Sequence, residues 1–348
     1  MLFFTIRLFL SHNASIELSL LSLILDISDC RRMMKANLSR RLFVKQGVLL
    51  GAATFMGTEF FPEVSFLSPP SLLAAEKVDL SVVKGSDFFL STVKAVQQLG
   101  GMETFVTRGS RVGLLLNSPF KNYGAHVKPE ISLAVVKMCY EAGAKEIYLL
   151  KEGYSGYWKR SQLAMEFADE IKSLKPGWDD FIDHTIVDAI SKKEPSITKA
   201  LLDCDVFINV SILKHHDGIG YTCSLKNMMG TSSTTTNMSM HFGGKVGLSF
   251  FPDVGYLSQC IVDLNTIRRP DLCIVDTTEF ITEKGPYGPG KLAKPHLVVA
   301  GTDRVAVDAY CVSALGLDQT QLPIIEMAAQ RGLGNRDLSK INIREIVV

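Results

Sequence analysis

The chain has 348 residues, 47% hydrophobic and 21% charged, with a formal net charge of +1. This composition suits a globular body with a sizeable core and excludes an intrinsically disordered chain. The near-zero net charge gives no electrostatic footprint for nucleic acid, whose binding normally needs a basic face.

Residues 1–32 hold an apolar stretch at 18–25, interrupted by Ser and flanked by Glu17 and Asp26. Next comes Ser39-Arg40-Arg41-Leu42-Phe43-Val44-Lys45, a paired arginine ahead of the Gly/Ala-rich apolar run 47–57. This order is similar to a twin-arginine signal and implies export through the twin-arginine translocase to the periplasm or another extracytoplasmic space. Such substrates fold before export, often around a cofactor. The run is shorter than the roughly 20 apolar residues of a bilayer span. Cleavage is expected near Ala75, although Leu73 fits the small-residue rule poorly; an uncleaved leader would remain as an N-terminal membrane anchor. Since twin-arginine leaders start a few residues before their arginines, translation is expected to begin at Met33 or Met34. Residues 1–32 are then an upstream extension, 33–75 the signal peptide, and 76–348 an α/β domain.

From 111 onward, short apolar runs alternate with helical spacings. Strands are expected at 112–116, 146–150, 205–210, 272–276 and 296–300. Helices are expected at 129–142 (capped by Gly143), 158–174 (closed by Pro176 and Gly177), 259–267, 303–315 and 323–330. The alternation predicts an α/β fold, a mostly parallel sheet with helices on both faces in a Rossmann-like three-layer arrangement. No Gly-x-Gly-x-x-Gly follows the first strand, so there is no dinucleotide fingerprint. In such sheets ligands sit beyond the carboxyl ends of the strands, which directs attention to the polar residues found there.

None of the seven cysteines forms a Cys-x-x-Cys pair, so no zinc ribbon or iron–sulfur cluster motif is present. Cys273 and Cys311 read as small buried hydrophobes, and disulfide pairing stays open. The loop Gly285-Pro286-Tyr287-Gly288-Pro289-Gly290-Lys291 lacks the Ser or Thr of a phosphate loop, and its two prolines remove backbone donors.

The densest polar cluster runs from Lys214 to Lys245: Lys214-His215-His216-Asp217-Gly218, then Ser224-Leu225-Lys226-Asn227-Met228-Met229-Gly230, then His241-Phe242-Gly243-Gly244-Lys245. Imidazoles transfer protons or bind metals, and lysines neutralise carboxylate or phosphate. The bland alternative is a long solvated loop. No spacing matches a zinc pattern, and adjacent His215 and His216 cannot point the same way in a strand.

Lys-x-His, then Leu-Lys-Asn-x-x-Gly, then a later His resembles the core of the domain of unknown function 362 family. Ile274-Val275-Asp276 with the Glu283-Lys284-Gly285-Pro286 loop, and Asp303-Arg304-Val305-Ala306-Val307-Asp308, resemble its later motifs, so the likeness spans about 111–334. The resemblance makes Lys214, His216, Lys226, Asn227 and His241 the leading site candidates, with His216 and His241 as candidate metal ligands. Asp276, Asp303, Asp308 and Asn117 form a second tier; Asp303 also reads as a helix N-cap. Where the family often carries a Lys two residues before Asn117, this chain has Leu115. Some family members are fused to iron–sulfur modules, whose cysteine runs this sequence lacks.

Three functions are compatible with this pattern. The first is an enzyme acting on a small anionic molecule, with or without a metal. The second is a non-catalytic protein binding a metabolite or metal. The third is an accessory subunit with a redox partner in an exported complex. The cofactor is left unnamed.

Overall fold

Runs of Val, Ile and Leu supply the strands at the centre of the computed structural model, which describes residues 77–243 and 253–348. The expectations for the leader, its cleavage and the start codon, and for Gly244 and Lys245, lie outside the described residues.

In chain order the strands are β1 (Leu80–Lys84), β2 (Arg111–Leu116), β3 (Glu146–Leu149), β4 (Lys175–Pro176), β5 (Phe181–Asp183), β6 (Ser196–Thr198) and β7 (Val206–Ile212), then β8 (Lys214–His216), β9 (Gly220–Thr222), β10 (Leu272–Thr277), β11 (Phe280–Ile281), β12 (Leu292–Ala293), β13 (Leu297–Gly301) and β14 (Ile343–Val347). The α-helices are α1 (Phe88–Gln98), α2 (Pro129–Glu141), α3 (Ala168–Ser173), α4 (Lys199–Asp203), α5 (Ser224–Asn227), α6 (Thr234–Phe242), α7 (Val254–Ile267), α8 (Arg304–Cys311) and α9 (Pro323–Gln330).

Eight strands form one sheet in the order β14-β1-β13-β10-β7-β2-β3-β4. Its ladders are parallel except those of β13, which runs antiparallel to β1 and to β10. β7 is buried along its whole length, as expected of a central strand covered on both faces. Alternation along β10 shows the two faces: Cys273 Sγ meets Ser224 Oγ of α5, whereas the Asp276 carboxylate meets the Lys128 backbone at the start of α2. The α/β architecture, mostly parallel with helices on both faces, is as the sequence predicts.

Local chemistry sets the helix ends. Asp87 caps α1 through Leu90 N–H and Asp253 caps α7 through Tyr256 N–H, while Pro129 and Pro323 open α2 and α9 without losing a needed donor. Gly143 takes φ +98° after α2, the left-handed turn expected of a C-terminal glycine.

The main departure is 158–174. Instead of one helix, it forms two 3₁₀ turns and the six-residue α3. Ser161 Oγ accepts from Leu163 N–H and restarts the chain there, the usual competition of a short polar side chain with a continuing helix. Further elements were not expected, among them β1, α1, α6, the β8–β9 hairpin and β14. β14 is an edge strand whose partly exposed Ile-Arg-Glu-Ile-Val carries a weak apolar signal. The six described cysteines are free and buried. Among the described residues no helix is long and apolar enough to cross a membrane.

Candidate functional site

The chain order of the sheet creates a crevice. From β2 the chain moves outward to β3 and β4, then returns to lay β7 on the other side of β2 and β10 beyond it. The carboxyl ends of β2 and β7 therefore diverge at a topological switch point, where open α/β sheets bind ligands. Asn117 follows β2, and Lys214 opens the hairpin directly after β7.

That hairpin organises the first half of the site. β8 pairs antiparallel with β9, with Lys214 opposite Thr222 and His216 opposite Gly220. Alternation sends Lys214 and His216 inward, where both are buried, and turns His215 the other way toward Gly285 N–H and Asp217. A polar loop reading of 214–222 is thereby replaced by a short ordered ribbon.

Lys214 is only 1% exposed. Its Nζ donates to the Ala125 carbonyl at 2.6 Å and to Asn117 Oδ1 at 3.4 Å, and lies 4.6 Å from the Phe120 ring centroid. Burial, helped by the nearby Lys226 ammonium, lowers its pKa to about 7. Lys226, on α5, is half-buried; burial brings it down to about 8, and its Nζ donates to Met229 Sδ at 3.7 Å. Among the described residues neither lysine has a carboxylate within ion-pair distance, although eight other ion pairs occur in the structure.

The histidines come from different elements. His241 lies on α6, a helix anchored by Asn237, whose amide donates to the carbonyls of Met229, Ser232 and Ser233. The His216 and His241 rings are 6.4 Å apart between centroids and inclined by 21°. Burial, then Lys226 and His241, push His216 down to about 2; burial and Lys226 also lower His241. Each Nδ1 is already engaged: His216 Nδ1 accepts from Gly218 N–H at 3.1 Å, and His241 Nδ1 lies 2.9 Å from the Asn237 carbonyl oxygen. Among the described residues no group of three or more His, Cys, Asp or Glu side chains is arranged to hold a metal.

Asn227 is near these groups but serves them from beneath. Its Nδ2 donates to Asn209 Oδ1 at 2.7 Å and its Oδ1 accepts from Asn117 Nδ2 at 2.9 Å. Asn209 Nδ2 donates in turn to Ser224 O at 2.9 Å. This line of amides delivers Asn117 Oδ1 to Lys214. Asn209 was missed in the sequence, where the available signal was a lone amide inside an apolar strand, a buried group that must find partners. Phe120 and Asn237 carried no comparable signal. Nearby, Thr222 Oγ1 and Ser211 Oγ are buried without a hydrogen-bond partner among the described residues.

The second-tier aspartates separate. Asp308 lies under α5, accepting from Ser224 N–H, Leu225 N–H and Tyr221 Oη at 2.8, 3.1 and 3.1 Å; burial raises it to about 7 despite these donors. It positions the turn that carries Lys226 and Asn227. Asp303 is the N-cap of α8, accepting from Val305 and Ala306 N–H, and its other oxygen takes Asn335 N–H at 2.7 Å. Its geometry is that of a cap. Asp276 faces the opposite side of the sheet, accepting from Lys128 N–H and from Thr278. There it adjoins a separate polar group in which Glu279 pairs with Lys128 and Lys294 and accepts from Tyr123.

A cleft of about 170 Å³ opens elsewhere, beside Arg111, Tyr148, Asp180 and Lys199 at the β3–β4 side of the sheet. None of the candidate residues lines it.

Comparison with known proteins gives three likenesses. Residues 114–313 match the family described as Domain of unknown function (DUF362). Thylakoid-associated protein sll1697 of Synechocystis sp. is 28% identical over 252 residues, covering 69% of this chain and 73% of its own. The lactate racemase apoprotein from Thermoanaerobacterium thermosaccharolyticum aligns with a TM-score of 0.34 and 10% identity, over 65% of this chain and 54% of that one, so the chain spans about half its length.

Proposed function

Because the chain belongs to the DUF362 family, whose matched region contains the whole Lys/His cluster, we propose that it is an enzyme acting on a small anionic molecule at the β2–β7 crevice. One observation carries this reading. The buried Lys214 and half-buried Lys226 stand beside two neutral imidazoles, with no described carboxylate in ion-pair distance of either lysine. Unpaired buried cations are costly, and an incoming anion removes that cost. Lys214 and His216 form the floor of the site; the half-buried Lys226 and His241 form its mouth. Asn227, Asn209 and Asn117 are positioning residues that orient Lys214. Proton transfer falls to the imidazoles or to Lys214, whose lowered pKa suits acid–base work near neutrality.

The leader motif supports export by the twin-arginine route, placing this chemistry outside the cytoplasm. A metal at His216 and His241 would need ligands supplied by the substrate or by residues outside those described.

Equilibrium binding of a panel of small carboxylates and phosphates tests the proposal, paired with a turnover screen on the same panel. At least one anion should bind to the wild type and bind at least about tenfold more weakly to Lys226→Met. If no anion binds, or if Lys226→Met binds as the wild type does, the reading fails. Binding without turnover of any member would favour a metabolite-binding protein.

A further inference from the structure

This inference rests on the anion-site reading and deepens it by naming the substrate class. The hydrogen bonds already made by the two imidazoles determine where their protons lie. Gly218 N–H can only donate, so His216 Nδ1 is the acceptor and the proton of the neutral ring sits on Nε2. The Asn237 carbonyl can only accept, so His241 Nδ1 carries its proton and Nε2 is bare. Opposite tautomers are thus imposed on two nearly parallel rings 6.4 Å apart.

The surrounding groups are mostly donors. Lys214 and Lys226 offer ammonium protons, His216 offers Nε2–H, and Thr222 on the same face of the hairpin has a buried hydroxyl with no hydrogen-bond partner among the described residues. His241 Nε2 is different. It lies across the ring from the nitrogen bonded to its own helix, and so presents a lone pair away from α6, on a ring that neighbours His216 and feels the charge of Lys226. An anion that is all acceptor satisfies the donors but sets one of its lone pairs against that nitrogen. An anion carrying an O–H satisfies both.

We propose that the site selects a small oxyanion bearing its own hydroxyl beside the charge. The charged oxygens face Lys214, Lys226 and His216 Nε2–H, and the hydroxyl donates to His241 Nε2. Hydrogen phosphate and a 2-hydroxycarboxylate share this chemistry.

The test uses two matched pairs of probes on the purified protein, read by calorimetry at about pH 8, where the histidines are neutral, phosphate is the dianion and the lysines take up protons as the anion binds. Hydrogen phosphate and sulfate are both tetrahedral dianions and differ by one O–H. Glycolate and acetate are both monocarboxylates and differ in the same way. The hydroxylated member of at least one pair should bind at least about tenfold tighter than its partner. Preference only in the phosphate pair assigns a phosphoryl ligand; preference only in the glycolate pair assigns a hydroxy acid. His241→Leu should bring the ratio close to one, the hydroxylated member losing affinity and sulfate or acetate losing none. If His241→Leu does not fold, His241→Phe keeps a ring of similar volume without the acceptor and gives the same readout. Equal affinities within both pairs in the wild type, or a ratio that survives loss of His241, overturns the inference and leaves the anion site standing. No binding of any of the four probes overturns the anion site and this inference together.

Discussion

Asn227 Nδ2 donates to Asn209 Oδ1 at 2.7 Å, joining the short helix that carries Lys226 to the central strand before Lys214. The orientation of each amide in this line is set by its neighbour, so no member can flip without placing like groups together. Asn209→Leu should therefore cost about 1–3 kcal/mol by urea denaturation, because Asn227 loses its best acceptor inside the core. It should also weaken anion binding, although Asn209 reaches no ligand. Unchanged binding in a destabilised variant would separate the amide line from the site.

Lys214→Met is expected to act in opposite directions on binding and on stability. It removes a buried cation that has no carboxylate partner among the described residues, so the folded state should gain on the order of 1–3 kcal/mol. Anion affinity should fall at least about tenfold. Denaturation and calorimetry on the same preparation check both, and lower stability would show that the ammonium is already compensated.

Glu279 sits between Lys128 and Lys294 with Tyr123 donating to it. Burial alone would raise its carboxyl, but Tyr123, Lys294 and Lys128 outweigh that and bring it from 4.5 to about 2. A depressed carboxylate stabilises the fold fully above its unfolded pKa, and that contribution is lost as pH falls from about 4.5 through 2. Glu279→Gln should cost about 3–5 kcal/mol at neutral pH, since it leaves the Lys128 ammonium buried and unpaired. The variant should also lose the wild type's extra decline in melting temperature across that acid window.

Asp308 has the opposite sign. Its pKa rises from 3.8 to about 7 through burial, so between these values the native state binds more protons than the unfolded state. Its contribution to stability therefore declines as pH climbs from about 4 to about 7 and is level above that. Asp308→Asn should flatten this slope. At acid pH it should cost about 1–3 kcal/mol, because the amide turns a donor toward one of Ser224 N–H, Leu225 N–H and Tyr221.

Asp303→Ala provides the contrast. Loss of the α8 cap should lower stability by about 1–2 kcal/mol with no change in anion affinity. Gly334→Ala should do the same, since its new Cβ would overlap Asp303 Oδ1. Altered ligand binding in either variant would return Asp303 to the site.

The buried strands β2, β3, β7, β10 and β13 were legible because continuous apolar runs between turn residues are a local signal. So was the placement of Asn117 and Lys214 just beyond carboxyl ends. The helix expected at 158–174 failed on Ser161, whose side chain found a nearby backbone donor that periodicity does not weigh. β14 was missed because an edge strand needs few apolar residues.

The sequence by itself determined the layering, since apolar period and turn chemistry act over a few residues, and it determined which polar types collect between 214 and 241. Only the tertiary structure decided what those residues do. Asp276, Asp303 and Asp308 look alike in sequence, yet one faces the far side of the sheet, one caps a helix and one holds the turn beneath the lysine. Asn117 and Asn227 meet across 110 positions. A buried polar group takes its partners from whichever strands the sheet order sets beside it, and that order is a property of the whole chain.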